Sequence, residues 1–279
     1  MVGSKKNRYL GLAVLYVIIA VVVFTILFPV YWLVLTSIKP PVEWLTYPPK
    51  FFPGKIYLKS YAEVLGEQGI RQAAYNNVVA GALGTLFPLL IGSMVAYSLA
   101  RFDFKIKRPL VVGILLNRMV PPVTLLIPYF IIMRNLRLLD TMTGLVVVRF
   151  YLMFPFVVWM LLGFFQRIPK EIDDAAMIDG CDFYRRYLQI GIPLGKVGFA
   201  TTGIFVFITA WNELLFSMTI ASRAAKTLPT YLASYVGEYG MNWGPMTALS
   251  TIAIFPVFVV AAFAQKYFIR GLTMGAVKG

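Results

Sequence analysis

Six long apolar runs set the terms for this chain: Leu10 to Leu35, Val78 to Ala100, Leu110 to Met133, Met142 to Phe165, Val197 to Ala221 and Met246 to Phe268. A bilayer core of about 30 Å is crossed by roughly 20 apolar helical residues, and every run reaches that length. Lipid offers the backbone no hydrogen-bond partners, so single-segment spans of this kind are helices. The runs therefore predict an all-α integral membrane protein with six transmembrane helices. With 59% hydrophobic and 14% charged residues, the 279-residue chain is too apolar for a soluble domain of its size. Nearly half of it is taken up in crossings, which leaves loops but no large soluble domain, and 1–279 reads as a single transmembrane domain.

The first run follows Lys5, Lys6 and Arg8, as the apolar core of a signal peptide would. At 26 residues without a charge it exceeds the 7 to 15 of a signal core, and a retained anchor helix is expected. The formal net charge of +14 invites a nucleic-acid reading. The positive residues sit in short segments between apolar runs, however, where they fix topology and meet anionic lipid, so the partner expected of them is the lipid bilayer and no nucleic acid. With the amino terminus inside, the inner segments hold three Lys and Arg at the start, four in Arg101 to Arg108, five in Arg167 to Lys196 and three at the end, against nine outside. Both termini are expected in the cytoplasm. Cys181 is the sole cysteine and there is no histidine, which excludes an internal disulfide, the usual zinc ligands, and Ser-His or Cys-His catalysis.

The segment 36–76 is then an external loop. Pro40, Pro41, Pro48, Pro49 and Pro53 fix its backbone angles and remove donors, so its first half should be extended. In the second run Ala80, Gly84, Pro88, Gly92, Ala96 and Ala100 recur every four residues, a spacing that lets another helix approach closely, either for ordinary bundle packing or at a moving interface.

The loop 168–196 is the most informative segment. Pro169 suits the first position of a helix, and Glu171, Asp173 and Asp174 place negative charge near its positive end. Gly180 can take the left-handed conformation that ends a helix, Asp182 can cap the next one, and Pro193 would end that second helix. Two short helices set at an angle are expected, exposing Ala175, Ala176, Met177, Phe183 and Tyr187. On physics alone they either dock into a partner's groove or lie on the bilayer.

Asp174-Ala175-Ala176, Asp179-Gly180, Ile190, Ile192 and Pro193 resemble the EAA loop of ABC importer permeases, whose pattern is Glu-Ala-Ala, two residues, Asp-Gly, nine residues, then Ile-x-Leu-Pro. Asp174 stands for Glu, Cys181 for Ala and Ile192 for Leu. Ala96 to Phe102, Pro121-Pro122, Ile127-Pro128, Trp211-Asn212-Glu213 and the ending Gly271 to Gly279 are similar to the carbohydrate branch of these permeases, its small maltose-type membrane subunit in particular. The resemblance implies a type I importer permease working with a second permease subunit, two ATPase subunits and an external sugar-binding protein. It also implies that 168–196 is a cytoplasmic coupling loop seated in an ATPase cleft through Asp174, Ala175, Ala176, Met177, Asp179, Gly180, Phe183, Tyr187 and Pro193, and that 269–279 is a cytoplasmic tail. ATP and Mg would sit on the ATPase partners and no cofactor on this chain. Gly191 to Val197, Gly-Ile-Pro-Leu-Gly-Lys-Val, is one residue short of a phosphate loop and lacks its hydroxyl.

Arg118 and Arg149 fall about eight residues inside the third and fourth runs. Arginine at that depth should face the bundle interior, water or a partner, which leaves pairing across the permease interface, lining of the sugar pathway, and snorkelling. Glu213 is one candidate counter-charge. Asn212 and Glu213, midway along the fifth run beside Trp211, offer either sugar contacts or interhelical hydrogen bonds. An ion-coupled secondary transporter is the rival reading; it would need discontinuous helices, inverted repeats and mid-membrane carboxylates, whereas Glu213 is the one clear intramembrane acid and no repeat is evident. A membrane enzyme would need a nucleophile-base pair or metal cluster, and the sequence offers neither.

Overall fold

The computed structural model describes residues 5–237 and 240–276, with side chains for 9, 11–236 and 241–265. Helix α1 covers Lys5–Ser37, α2 Lys59–Gly66, α3 Gln68–Arg101, α4 Lys107–Met119, α5 Leu126–Asn135 and α6 Met142–Phe165. There follow α7 (Lys170–Ile178), α8 (Phe183–Arg186), a π-helical turn Tyr187–Gly191, α9 (Ile192–Leu194), α10 (Lys196–Trp211), α11 (Leu215–Ile220) and α12 (Leu228–Ala233). A two-residue ladder, β1 (Val236–Gly237) with β2 (Gly240–Met241), precedes α13 (Trp243–Ala276).

Among the described residues, four helices are long and apolar enough to cross a bilayer, and two bent helix pairs raise the number to six when each counts as one span. The third apolar run is not one rod. It breaks between Met119 and Pro122, where α4 and the segment Pro122–Asn135 meet at 96°. Pro121 and Pro122 supply no backbone donors and force Val120 into extended backbone (ψ 121°), so α4 has nothing to continue into. The second bent pair is Phe183–Leu194 with Lys196–Trp211, at 79°, and the fifth run breaks beyond it as well: α10 stops at Trp211 and α11 starts at Leu215. Arg118 is therefore in the last turn of α4, and Asn212 and Glu213 lie in a break, not midway along a helix.

Contacts divide the chain into two units, one taking the chain up to Glu67 with Ser234–Ile254, the other Gln68–Ala233 with the chain from Phe255 onward. In the first unit the proline-rich segment is irregular apart from a 3-10 turn at Pro41–Glu43, and helix resumes at Lys59, earlier than the apolar runs indicate. Glu43 organises it, pairing with Lys50 Nζ at 2.7 Å and accepting from Gly54 N at 3.1 Å. These two donors, the lysine foremost, hold its carboxyl below the usual carboxylate range. The expected tail 269–279 lies outside the residues whose side chains are described.

The second unit is built on α3 against α6. Ala80, Gly84, Pro88, Gly92, Ala96 and Ala100 are all buried. A Cβ on Gly92 would meet Val157 Cγ1 at 2.8 Å and one on Gly84 would meet Arg149 Cβ at 2.8 Å, so the small-residue face lets the helices approach closely. Thr141 caps α6 by accepting from Gly144 N at 3.1 Å. One apolar cluster gathers Ala96, Tyr97, Val157, Leu161, Phe165 and Tyr187 at the Arg101 end of α3. Another gathers Met133, Leu145, Val148, Phe216 and Ile220 nearer the start of α6.

Candidate functional site

Two places in the second unit collect the residues singled out by sequence: the α7–α9 loop and the region of the two helix breaks. In the loop, α7 starts one residue later than expected, with Pro169 as its cap (φ −53°, ψ 135°) and Glu171 and Asp173 in its first turn. Gly180 takes φ +79°. Gly180 N donates to Met177 O at 3.1 Å and Cys181 N to Ala176 O at 2.9 Å, the paired bonds that close a helix on a left-handed residue. Asp182 caps α8 through Arg185 N at 2.8 Å.

The second arm does not stop at Pro193. Ile192 N reaches back five residues to Tyr187 O, and the widened turn carries the chain through Pro193, which has no amide to place, to Leu194.

Exposure in this loop differs from the sequence expectation. Asp174, Ala175, Met177, Asp179 and Pro193 do face outward, but Ala176 and Tyr187 are buried and Phe183 is half-buried. Phe183 and Tyr187 pack on Tyr97, with ring centroids at 5.7 and 5.6 Å. Beside Met177, the large apolar residues that face outward are Ile172, Ile178, Tyr184, Leu188 and Leu194, with Ile178 89% exposed.

Asp173, which the sequence places only as a charge at the positive end of the helix, has a larger role. It is buried, accepts from Tyr97 Oη, and pairs with Arg101 Nε at 2.6 Å. A signal was present in the spacing: Ser93, Tyr97 and Arg101 recur every four residues, and on a helix that makes one polar stripe.

At the breaks, Arg118 is exposed and stands over the Phe156 ring at 5.2 Å. With Asn117, Tyr151, Thr209, Asn212 and Glu213 it lines a cavity of about 610 Å³. Asn117 Nδ2 donates to Tyr151 Oη at 2.8 Å, and both also face a second cavity of about 570 Å³ walled by Tyr129, Phe150 and Phe154. Among the described residues Glu213 makes no close ion pair with either arginine, and it acts on Arg149 only as a more distant opposite charge. Its carboxylate accepts from Phe216 N at 2.7 Å, Ser217 N at 3.0 Å and Ser217 Oγ at 2.6 Å, which makes it the cap of α11. Asn212 Nδ2 turns back to Ile208 O at 2.8 Å and closes α10.

Arg149 lies elsewhere. It is fully buried between α6 and the Gly81–Gly84 stretch of α3, with Nη2 3.4 Å from Asn77 Oδ1 and, among the described residues, no hydrogen-bond partner for Nε or Nη1. Asn77 in turn donates to Trp211 O at 3.4 Å.

At the opposite end of α6, Asp140 (φ 56°) holds the segment after α11. Its carboxylate accepts from Arg223 N and Ala224 N, both at 2.9 Å, and Ala225 N at 3.0 Å, while Asp140 N donates to Ile220 O at 2.7 Å. Burial alone would raise this carboxyl, but the backbone donors of Ala225, Ala224, Arg223 and Ser222 outweigh it and hold it below the usual range. Asn76 Nδ2 secures the same segment through Ala224 O at 2.8 Å and Lys226 O at 2.9 Å.

Comparison with known proteins adds four findings. The sequence model of the binding-protein-dependent transport system inner membrane component matches residues 89–274. The sulfoquinovosyl glycerol transport system permease protein SmoH of Agrobacterium fabrum is 34% identical over 91% of this chain and 89% of its own length. The trehalose transport system permease protein SugB of Mycobacterium tuberculosis is 32% identical over 99% and 100%. In fold, the chain is similar to a chain of a bacterial ABC transporter involved in the import of the acidic polysaccharide alginate, with a TM-score of 0.81, 22% identity, and 95% and 98% of the two chains covered.

Proposed function

This chain belongs to the family of binding-protein-dependent transport system inner membrane components, and from that premise we propose that it moves saccharides inward as one permease subunit of an ATP-driven importer. It is a membrane-embedded transport subunit and not an enzyme. The saccharide class rests on relatives of matching length named for transport of a sulfoquinovosyl glycerol and of trehalose. The assembly we propose has a second permease subunit, two ATPase subunits that hold ATP and Mg, and an external sugar-binding protein. Both termini and the loop 168–196 face the cytoplasm in this reading, and 36–76 faces outward.

The observation that carries it is the geometry of α7 and α8. Two short helices meet at a left-handed glycine beside the Asp174-Ala175-Ala176 stretch, and they turn Ile172, Met177, Ile178 and Tyr184 outward. Apolar knobs on a short helical corner suit a groove on a partner protein. The saccharide path is assigned to the cavity of Asn117, Arg118, Tyr151 and Asn212, where amide, hydroxyl and guanidinium donors stand near aromatic rings. Broken helices are also what an ion-coupled carrier would use, but here the breaks have local causes in Pro121-Pro122 and in the Asn212 and Glu213 caps, and the family is that of binding-protein-dependent systems.

Ile178→Asp tests the docking corner at little folding cost, since the side chain is exposed. ATPase subunits should no longer co-purify with the variant, and Gly180→Arg should act in the same direction. Normal co-purification with unaltered sugar-stimulated ATP hydrolysis in both variants would refute docking through this loop.

A further inference from the structure

Of its nine residues, α7 buries two, Asp173 and Ala176. So small an apolar footprint does not hold a helix at a fixed angle. A buried polar lock does. Asp173 Oδ1 accepts from Tyr97 Oη, Asp173 Oδ2 forms an ion pair with Arg101 Nε at 2.6 Å without hydrogen-bond alignment, and Arg101 Nη1 donates to Ile168 O at 3.1 Å, just ahead of α7. One turn back along α3, Ser93 Oγ bonds Tyr187 Oη at 2.6 Å, which ties the other arm of the loop to the same helix face. Both charged side chains of the Asp173–Arg101 pair are almost wholly buried, at 4% and 5% exposure. The exposed pair Lys170–Asp103 at 3.4 Å also bridges to α7, but a solvent-exposed pair of that length adds little.

A buried ion pair is a poor way to gain stability, because desolvation offsets most of the attraction and well-packed apolar residues do as well. What it provides is direction: a carboxylate tied to one helix face by a phenol hydrogen bond and a close guanidinium charge resists rolling and sliding on that face. Apolar contact would permit both movements.

We propose that Asp173, Arg101 and Tyr97 are positioning residues that make α7 and α3 one rigid body. A displacement imposed on α7 then reaches the 34-residue α3 instead of being lost as a pivot of the short helix. Along α3 the motion arrives at Gly84 and Asn77, the residues that pack around Arg149. This inference rests on the reading of α7 as the ATPase-docking element.

The test uses the assembled importer with Cys181 replaced by Ala and spin labels on two introduced cysteines, Glu171→Cys on α7 and Leu86→Cys on α3, both exposed positions. Distances are measured without nucleotide and after trapping with MgATP and vanadate. The parent should give one narrow distribution, unchanged by trapping. In the double variant Asp173→Leu with Arg101→Met, which keeps apolar packing, the distribution should broaden and shift on trapping while ATP hydrolysis continues, and Asp173→Glu should stay narrow. If the double variant does not assemble, Tyr97→Phe removes one bond of the lock and should broaden the distribution less.

A distribution equally narrow in both states for the double variant, or for Tyr97→Phe where that is the one that assembles, would overturn the proposal. So would a parent distance that changes with nucleotide. A Glu171 label whose mobility ignores added ATPase subunits would instead overturn the docking reading, and the two failures are thereby told apart.

Discussion

The second unit treats its two intramembrane arginines in opposite ways. Along the seam of α3 and α6, Gly84 and Gly92 let the backbones close on each other, and Arg149 is sealed inside with a distant amide for company. At the α4–α5 and α10–α11 breaks, proline and capping side chains stop the helices, and Arg118 looks into an open cavity that also holds Asn117, Tyr151 and Asn212. The same side chain is a wedge in one place and a free donor in the other. What separates them is backbone continuity. An unbroken helix satisfies its own amides and can be packed tightly, whereas a break leaves groups that need capping or water, and a cavity follows.

The largest effect should come from the sealed region. Arg149→Ala empties a space shaped around a long side chain and should destabilise the protein by about 2–5 kcal/mol. Arg149→Met keeps most of the volume and removes a buried charge that has little compensation, so its cost should stay under about 1.5 kcal/mol. Gly84→Leu drives a branched side chain into Arg149 and should cost about 1–3 kcal/mol. Thermal unfolding of the detergent-solubilised protein, read by circular dichroism, gives all three. Parent-like melting of Arg149→Ala and Gly84→Leu would mean that the seam is loose, and the contrast with the breaks would collapse.

The spans themselves were legible in the sequence because hydropathy reads burial in lipid directly, and α6 runs from Met142 to Phe165 as its apolar run does. The breaks were not, because hydropathy does not register where an apolar stretch stops being helical. Pro121-Pro122 was the local signal for one of them, and Asn212-Glu213, a side-chain cap pair, for the other. In the loop, the turn chemistry of Gly180 and Asp182 could be read from residue type, since conformation at such positions is a local matter. The burial of Ala176 and Tyr187 could not, because it depends on which face α3 presents. The pairing of Asp173 could not be read for the same reason: its acidic neighbours Glu171 and Asp174 are exposed, and only the stripe of Ser93, Tyr97 and Arg101 sets it apart.

A smaller effect is expected where Asp140 clasps the segment after α11. Asp140→Asn keeps the shape but removes a charged acceptor from Arg223 N, Ala224 N and Ala225 N, and should cost about 1–2 kcal/mol. The pH dependence follows from the depressed folded-state pKa of Asp140. Its contribution is complete above the unfolded value near 3.9 and is lost as pH falls through the lower folded value. Melting midpoints of parent and Asp140→Asn should therefore differ at neutral pH and converge on acidification below about pH 4. A gap that persists at low pH would show that the clasp does not depend on the carboxylate.

Arg118 should give the smallest change in stability and the most informative change in transport. Its guanidinium has an aromatic ring beneath it and no ion pair among the described residues. An exposed cation–ring contact is worth about 0.5–1 kcal/mol, so Arg118→Met should melt within about that margin of the parent. If the side chain lines the saccharide path, the variant should assemble normally and transport more slowly at saturating sugar. The half-saturating concentration should hold, because capture belongs to the external binding protein in the importer proposed here. Arg118→Lys, which restores a donor without the planar fork, should recover part of the rate. A loss of stability matching that of Arg149→Ala would make Arg118 a structural residue and erase the distinction between the two arginines. Unchanged assembly, melting and transport would remove it from the path altogether and leave the cavity to Asn117, Tyr151 and Asn212.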